Sequence, residues 1–423
     1  MKKYKKLTLK DFGVKREEKV LNNSCRVVLY EKKNSPLYFG VRFLAGSRFN
    51  DKEGLAHFVE HMLVSGTEKF KSKDLLSMYL ERYGGSFGLS TNNNFININA
   101  EIGEVSDIDI LLDFLNEIIN NPSFNNDSFL AEKDSIINEI GNANTLPAKF
   151  FGEIFLNTFY KNTPLEKNNL GTEDSVNSIE LKDVISFYKK NITAQNCTIV
   201  VSGDIKIKKL LRKIEQKIKF KNLGENKINK KIYQLPNKGE RVLVENIISN
   251  QSLITIGFRV GTKFEQSPEL ELIKYILAGG RASQLEKKLR YEKGLIYSIS
   301  ANYDTYQDVG GFFIKTSTSE KNIDEVTEII LSEIDSIIKE GVTKEELDFI
   351  KDKIYKSTNK NFQTSEDWVN ANSSHESLCG DGKTQIDFIN EMMKISNKEI
   401  IDTVSKYLSK EKAFVGYYSK NKK

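Results

Sequence analysis

Two of the chain's three histidines lie in one five-residue segment, His57-Phe58-Val59-Glu60-His61. Helical residues four apart lie one turn apart on the same face, so both imidazoles can reach one ion. Zinc favours such nitrogen ligands, at distances of about 2.0–2.1 Å. Glu60 lies between them, placed to accept a proton from an attacking water molecule. The segment therefore predicts a hydrolytic zinc site, which needs three protein ligands and one open position.

A helix must carry these side chains. The apolar residues of the segment recur at i, i+3, i+4, i+7 and i+8 and predict one buried helix face: Leu55, Phe58, Val59, Met62 and Leu63. His57, Glu60 and His61 fall on the opposite side. The alternative is a helix with two solvated histidines and a solvated glutamate. The third histidine, His375, has no partner at ligand spacing, and we expect it on the surface or at a helix cap.

A third ligand must come from elsewhere, and a second predicted helix, Asp127–Ile140, supplies candidates. Asp127 or Ser128 is its expected N-cap. Glu132 and Glu139 lie seven residues apart, which places them two turns apart on a shared face. By spacing alone either carboxylate could be a ligand, or both could be solvated.

Further elements follow from hydrophobic periodicity. The predicted strands of the first half are Cys25–Tyr30, Leu37–Leu44, Ser86–Thr91, Phe95–Ala100 and Cys197–Val201. Predicted helices there include 54–64 and 75–83, together with a lysine-rich amphipathic helix that begins near residue 207. The stretch 221–237 lacks periodicity and contains Pro236, so we interpret it as a linker. This gives a first domain at 1–222, a linker at 223–237 and a second domain at 238–423.

The second half repeats the pattern of the first. The segment Phe43-Leu44-Ala45-Gly46-Ser47-Arg48-Phe49 is similar to Phe258-Arg259-Val260-Gly261-Thr262-Lys263-Phe264, at an offset of 261 − 46 = 215 residues. The order of strands and helices repeats as well, which indicates a duplicated domain. Each unit mixes hairpin-like strands with runs of helices. We therefore predict an α+β fold of two homologous domains, each a largely antiparallel sheet with helices packed on it.

The duplication supplies an internal comparison for the metal site. Adding 215 to the positions of the two histidines and Glu60 gives residues without metal-binding side chains: Leu272, Tyr275 and Ile276. Only the first domain can hold this site.

Composition excludes several classes of function. The 423 residues suit two large domains, and 39% hydrophobic residues suit packed cores. The net charge of +5 comes from interspersed charges of both signs, so we expect no nucleic-acid binding. No apolar run approaches the roughly 20 residues that span a bilayer, so we expect no membrane insertion. The three scattered cysteines form no disulfide framework, and no apolar segment follows the basic N-terminus. Both features favour the cytoplasm.

Nearly the whole chain resembles the M16 metallopeptidases, the inverted-zincin family of pitrilysin, insulin-degrading enzyme and the mitochondrial processing peptidase. The segment 54–62 is similar to the family's metal helix and Ser65-Gly66-Thr67 to its exit. The segment 132–139 is similar to the one whose last glutamate is the third zinc ligand, and Leu170-Gly171-Thr172-Glu173 matches a further landmark. The resemblance implies zinc on His57, His61 and Glu139, with Glu60 as catalytic base. It makes Glu132 a supporting acid in the catalytic group.

A second signature lies in the other half of the chain. The segment 279–297 resembles the family's C-terminal substrate-binding signature, in which an arginine and a tyrosine seven residues later face the zinc site. Arg290 and Tyr297 occupy those positions. A guanidinium or a phenol can hydrogen-bond a peptide carbonyl and stabilise the oxyanion of a tetrahedral intermediate. The alternative is that Arg290 ends a surface helix and Tyr297 lies in a strand core.

One position departs from the family pattern. After Gly84-Gly85, members carry an Asn-Ala pair on the edge strand that accepts the substrate, whereas this chain has Gly88 and Leu89. Backbone pairing with an extended peptide needs no particular side chain, so the strand can still bind substrate. We include Gly88 and Leu89 among the substrate-binding residues, with the substrate preference open.

The resemblance implies a zinc-dependent endopeptidase that hydrolyses short or unfolded peptides in a chamber between domains. It also implies a homodimer, since family members with one two-domain chain usually pair. Two alternatives stay open. The chain could be a non-catalytic scaffold subunit, or one half of a heterodimer with a related subunit, for instance in the maturation of a peptide natural product.

Overall fold

The computed structural model describes residues 4–221, 224, 233, 239–245, 251–261, 267–306 and 308–420. The strands of this part are β1 Val14–Val20, β2 Arg26–Lys32, β3 Leu37–Phe43, β4 Ser86–Thr91, β5 Ile96–Ile102, β6 Cys197–Gly203, β7 Arg241–Glu245, β8 Ser252–Val260, β9 Ile296–Thr305, β10 Gly310–Thr318 and β11 Phe414–Ser419. The helices are α1 Leu55–Val64, α2 Lys73–Glu81, α3 Ile108–Asn120, α4 Asn126–Asn144, α5 Pro147–Phe159, α6 Glu173–Asn177, α7 Leu181–Asn191, α8 Ile207–Lys217, α9 Pro268–Ala278, α10 Ile323–Glu340, α11 Lys344–Asn361, α12 Ser365–Leu378, α13 Gln385–Met392 and α14 Asn397–Tyr407. A π-helical segment, Glu286–Glu292, precedes β9.

The strands form two sheets with the same internal order. The first sheet runs β1-β2-β6-β3-β5-β4 and the second runs β7-β11-β8-β10-β9. Apart from the added β1, each strand of one sheet has its counterpart at the same place in the other. Each sheet contains one parallel pair, β2 with β6 and β7 with β11, and its other pairs are antiparallel. The predicted duplicated α+β fold is confirmed.

The sequence prediction missed some details. Strand β1 went unrecognised because its residues are mostly charged and exposed, so it shows no apolar alternation. The expected N-cap of α4 at Asp127 or Ser128 is wrong. The helix begins at Asn126, and the side chain of Asn125 accepts a hydrogen bond from the Ser128 backbone N–H at 2.8 Å.

Two sequence predictions concern residues outside the described part of the chain. The predicted linker 223–237 lies there, apart from Gly224 and Tyr233. The last three residues of the second repeat motif, 262–264, lie there as well. Further along the chain, α9 occupies the place of α1, and two of the residues aligned with the metal-binding positions, Leu272 and Ile276, are buried in its core face.

Each half of the chain covers the outer face of the other half's sheet. Helix α12, from the second half, packs on β3 and β6 of the first sheet, where the Trp368 and Tyr30 rings stack at 5.8 Å. Helix α5, from the first half, packs on the second sheet with a row of buried aromatic rings. Neither half therefore completes its hydrophobic core alone.

No helix in the described part is long and apolar enough to cross a membrane.

A glycine in β11 permits the close approach of α5, the helix that the first half packs on the second sheet. A Cβ atom at Gly416 of β11 would lie 2.4 Å from Phe155 Cδ2 and 3.0 Å from Phe151 Cζ, both on α5. Both rings are buried and have little room to move.

We therefore expect Gly416→Ala to lower the free energy of unfolding by about 1–3 kcal/mol through overpacking. The matched control is Gly152→Ala on α5 itself, where a Cβ would meet nothing within 4 Å. Alanine in an open helix position should instead raise the free energy of unfolding, by up to about 1 kcal/mol. Urea denaturation of both variants measures the difference. Equal stability of the two would contradict the exchanged-helix packing.

Candidate metal centre

The N-terminal end of α1 is fixed by two glycines and an asparagine. Gly54 precedes the helix with φ of 81°, and a Cβ there would lie 2.7 Å from the Leu170 carbonyl oxygen. Gly171 has φ of 83° and packs against Gly54. Both positions thus require glycine. The Asn50 side chain accepts a hydrogen bond from the Ala56 backbone N–H at 2.8 Å. These contacts set the position of the predicted metal helix and explain why the Leu170-Gly171 landmark matters to it.

The apolar face of α1 holds α4 against it. All five residues predicted for that face are buried. Phe58 stacks on Phe129 of α4 with ring centroids 4.9 Å apart. Because this contact fixes α4 relative to α1, the acidic residues of α4 come to lie beside the two histidines.

Three side chains converge at this helix pair. The Nε2 atoms of His57 and His61 lie 3.2 Å apart, and Glu139 Oε2 lies 3.6 Å from the first and 3.8 Å from the second. One donor atom from each residue falls within 4.8 Å of the others. Tetrahedral coordination at zinc–ligand distances of about 2.0–2.1 Å places ligand atoms about 3.3 Å apart. The donor set and its spacing fit a zinc ion with little movement.

The two imidazoles are prepared for metal binding by their surroundings. Burial, followed by the neighbouring His61, lowers the pKa of His57 to about 3, so this ring is neutral at pH 7. Glu132 Oε2 lies 2.8 Å from His61 Nδ1. A proton on that nitrogen leaves the lone pair of Nε2 directed at Glu139 and His57. Glu132 thus contacts the far nitrogen of His61 and can orient its ring.

Glu60 lies on the same side of α1 and is held by the edge of the sheet. The hydroxyl of Thr91, the last residue of β4, donates a hydrogen bond to Glu60 Oε2 at 2.7 Å. Burial raises the pKa of Glu60, against smaller opposing effects of Thr91 and His61. A carboxyl whose pKa is raised is better suited to accept and return a proton near neutral pH.

A cleft of about 370 Å³ opens beside Glu60 and His61. Gly88 and Leu89 line it, together with Glu132 and residues of α2. Among the described residues, β4 is the last strand of its sheet and pairs only with β5. Residues 86–89 of this strand line the cleft, which places the predicted substrate-binding strand next to the predicted metal ligands.

Arg290 and Tyr297 lie together and do not line the cleft. The Arg290 guanidinium is 5.0 Å from the centre of the Tyr297 ring and 2.8 Å from Glu286 Oε1. Tyr297 is 75% exposed, so it is not a core residue of its strand. No described residue of the second half lines the cleft. Within the described residues, no hydrogen bond or ion pair joins Arg290 or Tyr297 to the histidines or to Glu139.

Sequence reasoning did not identify Thr91 or Asn50. The strand that ends at Thr91 was predicted, and its alternation could have placed this side chain on one face. Which face meets Glu60 depends on how α1 packs on the sheet, and no local pattern carries that information.

Comparisons with known proteins identify related families, sequences and folds. The family described as Insulinase (Peptidase family M16) matches residues 26–173, and the one described as Peptidase M16 inactive domain matches residues 178–354. An uncharacterised zinc protease of Bacillus subtilis is 24% identical over 92% of this chain and 94% of its own length. A non-peptidase homologue of Helicobacter pylori is 24% identical over 90% of this chain and 89% of its own length. The crystal structure of a protease from Helicobacter pylori superposes with a TM-score of 0.89, at 20% identity, over 96% of this chain and 99% of the other.

The arrangement predicts distinct effects of the two glutamates of α4 on zinc binding. We expect Glu139→Ala to lose zinc on dialysis, because it removes one of three donor atoms. Glu132→Gln should retain the site with an affinity about 10–100-fold weaker, because it removes only the acceptor that orients His61. Competition with a chelator of known affinity measures both. Asp134→Asn, an exposed position on the same helix, is the control, and a comparable loss of zinc in that variant would contradict the assignment.

Proposed function

We propose that this chain, which belongs to the M16 peptidase family in its short two-domain form, is a zinc-dependent endopeptidase of short or unfolded peptides. The observation that supports this most is the convergence of one donor atom each from His57, His61 and Glu139 within 4.8 Å. This convergence occurs beside a free strand edge, where a peptide can bind.

The residues of the first domain divide the work. His57, His61 and Glu139 would hold the zinc, and Glu132 orients His61. When bound there, zinc supplies a Lewis acid that polarises the scissile peptide carbonyl. The neutral state of His57, enforced by burial, keeps its ring nitrogen available to the metal at pH 7.

Glu60 acts as the general base and then as the general acid. It accepts a proton from the attacking water and returns it to the leaving amine. Thr91 holds one carboxylate oxygen by its hydrogen bond, which leaves the other oxygen for the proton transfer. Thr91 is the last residue of the strand that binds the peptide, so the same strand positions both the base and the substrate.

The substrate binds as an added strand along the free edge of β4, within the chamber between domains. Arg290 and Tyr297 lie outside the cleft, so they contact the peptide where it extends beyond the zinc domain. We propose a homodimer as the working form, in accordance with the short family members. We also propose a cytoplasmic location, since the three cysteines, all in the described part of the chain, form no disulfide.

A second candidate is a non-catalytic or partner-dependent subunit. Two observations favour it: Gly88 and Leu89 replace the Asn-Ala pair that the family usually carries, and the Helicobacter pylori relative is named a non-peptidase homologue. In that case the chain would bind zinc yet cleave peptides only with a second, related subunit.

The test of the catalytic assignment is Glu60→Gln. We expect this variant to bind zinc with unchanged stoichiometry and to lose peptide cleavage by a factor of about 10² or more, because the amide cannot accept the proton. Digestion of a peptide library, analysed by mass spectrometry, measures the cleavage. The control is Glu68→Gln, an exposed carboxylate after α1. Full activity of Glu60→Gln would refute the role of Glu60. An inactive but zinc-loaded wild type would favour the partner-dependent subunit.

A further test restores the usual family residues on the edge strand. A Cβ at Gly88 would meet nothing within 4 Å, so Gly88→Asn/Leu89→Ala should fold normally. An asparagine side chain in the cleft can hydrogen-bond the substrate backbone, and we expect KM to fall by about tenfold, equivalent to one hydrogen bond of about 1–1.5 kcal/mol. Steady-state kinetics on one library peptide measures it. Unchanged KM and cleavage pattern would show that residues 88 and 89 do not contact the substrate.

A further inference from the structure

Equivalent turns of the two repeats meet at the interface between the halves of the chain. The turn between β4 and β5 contains Asn93, and the turn between β9 and β10 contains Asp308. Their separation, 308 − 93 = 215, equals the repeat offset. The Asn93 side-chain amide donates a hydrogen bond to the Tyr306 hydroxyl at 2.8 Å.

A buried ion pair lies at this meeting point. Arg48, from the motif after β3, donates through Nη2 to Asp308 Oδ2 and through Nη1 to Asn94 Oδ1 at 3.1 Å. The exposed fractions of the Arg48 and Asp308 side chains are 2% and 0%. A buried carboxylate depends strongly on its cation, since removing one partner leaves an uncompensated charge.

The ion pair is connected to Glu60 by short, rigid steps. The backbone N–H groups of Ser47 and Arg48 donate to the carbonyl oxygens of Asn92 and Asn93 at 3.0 and 3.2 Å. A Cβ at Gly46 would lie 2.2 Å from the Asn92 carbonyl oxygen, so these two segments fit only with glycine there. The residue before this turn is Thr91, the hydrogen-bond donor to Glu60.

A second connection runs towards the metal helix. Asn50 follows Arg48 by two residues, and its side chain accepts from the Ala56 N–H at the start of α1. The segment that carries Arg48 thus contacts both the end of β4 and the beginning of α1. These are the two elements that place Thr91 and Glu60.

We propose that the Arg48–Asp308 ion pair is a positioning contact through which the second domain fixes β4 and, through Thr91, the orientation of Glu60. The second domain has no metal ligands of its own among its described residues, yet it contributes to the site in this way. The effect on Glu60 rests on the proposed function, whereas the effect on β4 does not.

The fold offers a matched comparison for this contact. Glu376 of α12 is also a fully buried carboxylate from the second half. It accepts hydrogen bonds from Arg16 Nε at 2.7 Å, Arg26 Nη2 at 2.8 Å and the Tyr30 hydroxyl at 2.6 Å. Strands β1 and β2 lie at the edge of the first sheet that is opposite to β4. Glu376 therefore makes an interface contact of the same kind, but without a short connection to Glu60.

The experiment compares Asp308→Asn with Glu376→Gln in the zinc-loaded full-length chain. Hydrogen–deuterium exchange of the amides that join β4 to β5 should increase by about tenfold in Asp308→Asn, because the turn loses its anchor. In Glu376→Gln the same amides should be unchanged, and exchange should rise in β1 and β2 instead. If Asp308→Asn does not fold, Tyr306→Phe removes only the hydroxyl that accepts from Asn93 and should raise exchange in β4 to a smaller extent.

Peptide cleavage supplies the second measurement. We expect Asp308→Asn to lower kcat by roughly tenfold, because a displaced base slows proton transfer. KM should rise as well, because the loosened β4 also binds the peptide, while the zinc stoichiometry stays unchanged. Glu376→Gln should keep kcat within about twofold, as expected of a site away from the base. Unchanged β4 exchange in Asp308→Asn and Tyr306→Phe, or an equal change in Glu376→Gln, overturns the proposal. A wild type that cleaves no peptide would count against the proposed function alone, since the exchange result still decides the positioning role.

Discussion

The packing of α1 on α4 is the contact on which the site depends. A divalent metal needs deprotonated donors from both helices at once. The Phe58–Phe129 stack and the buried face of α1 bring the helices together, and the same burial keeps His57 neutral. Glu139 and Glu132, two turns apart on α4, then lie near different ring nitrogens. Glu139 approaches Nε2 of both imidazoles, and Glu132 lies at Nδ1 of His61. The hydrophobic packing and the convergence of possible metal donors are therefore two consequences of one helix pair.

The duplication explains why half of the chain can lack the site without being dispensable. The second domain keeps the strand order, and its α9 takes the place of α1 with aliphatic residues where ligands would lie. Because α5 and α12 are exchanged between the halves, each sheet receives its outer layer from the other repeat. Loss of the ligands in one copy leaves this reciprocal packing intact. The second domain thus keeps its packing role although the positions equivalent to the first domain's ligands carry no metal-binding side chains.

Much of this could be predicted from sequence, since the signals are local. The apolar spacing around His57 and His61 fixed the helix and its buried face, and the repeat of strand and helix patterns gave the duplicated fold. Strand β1 could not be predicted, because its charged residues at the sheet edge show no alternation of apolar and polar side chains. The contacts of Thr91 and Arg48 could not be predicted for another reason. Their partners, Glu60 and Asp308, lie 31 and 260 residues away in the chain, and such pairs are determined by how finished elements pack.

The unpaired edge of β4 can associate with other chains as well as with a substrate peptide. An unpaired strand edge invites association with other chains, and folded proteins usually cover it or make it charged. Here β4 is short and its side chains are polar or small at most positions, which limits accidental pairing without closing the edge. Backbone pairing alone would accept almost any extended peptide. The cleft beside it is lined by Lys73 and Glu81 of α2 as well as by Val64 and Phe87. Because Lys73 and Glu81 carry opposite charges about two turns apart on one helix, substrate preference under the proposed function would come from the cleft lining, and the strand edge would add affinity without preference.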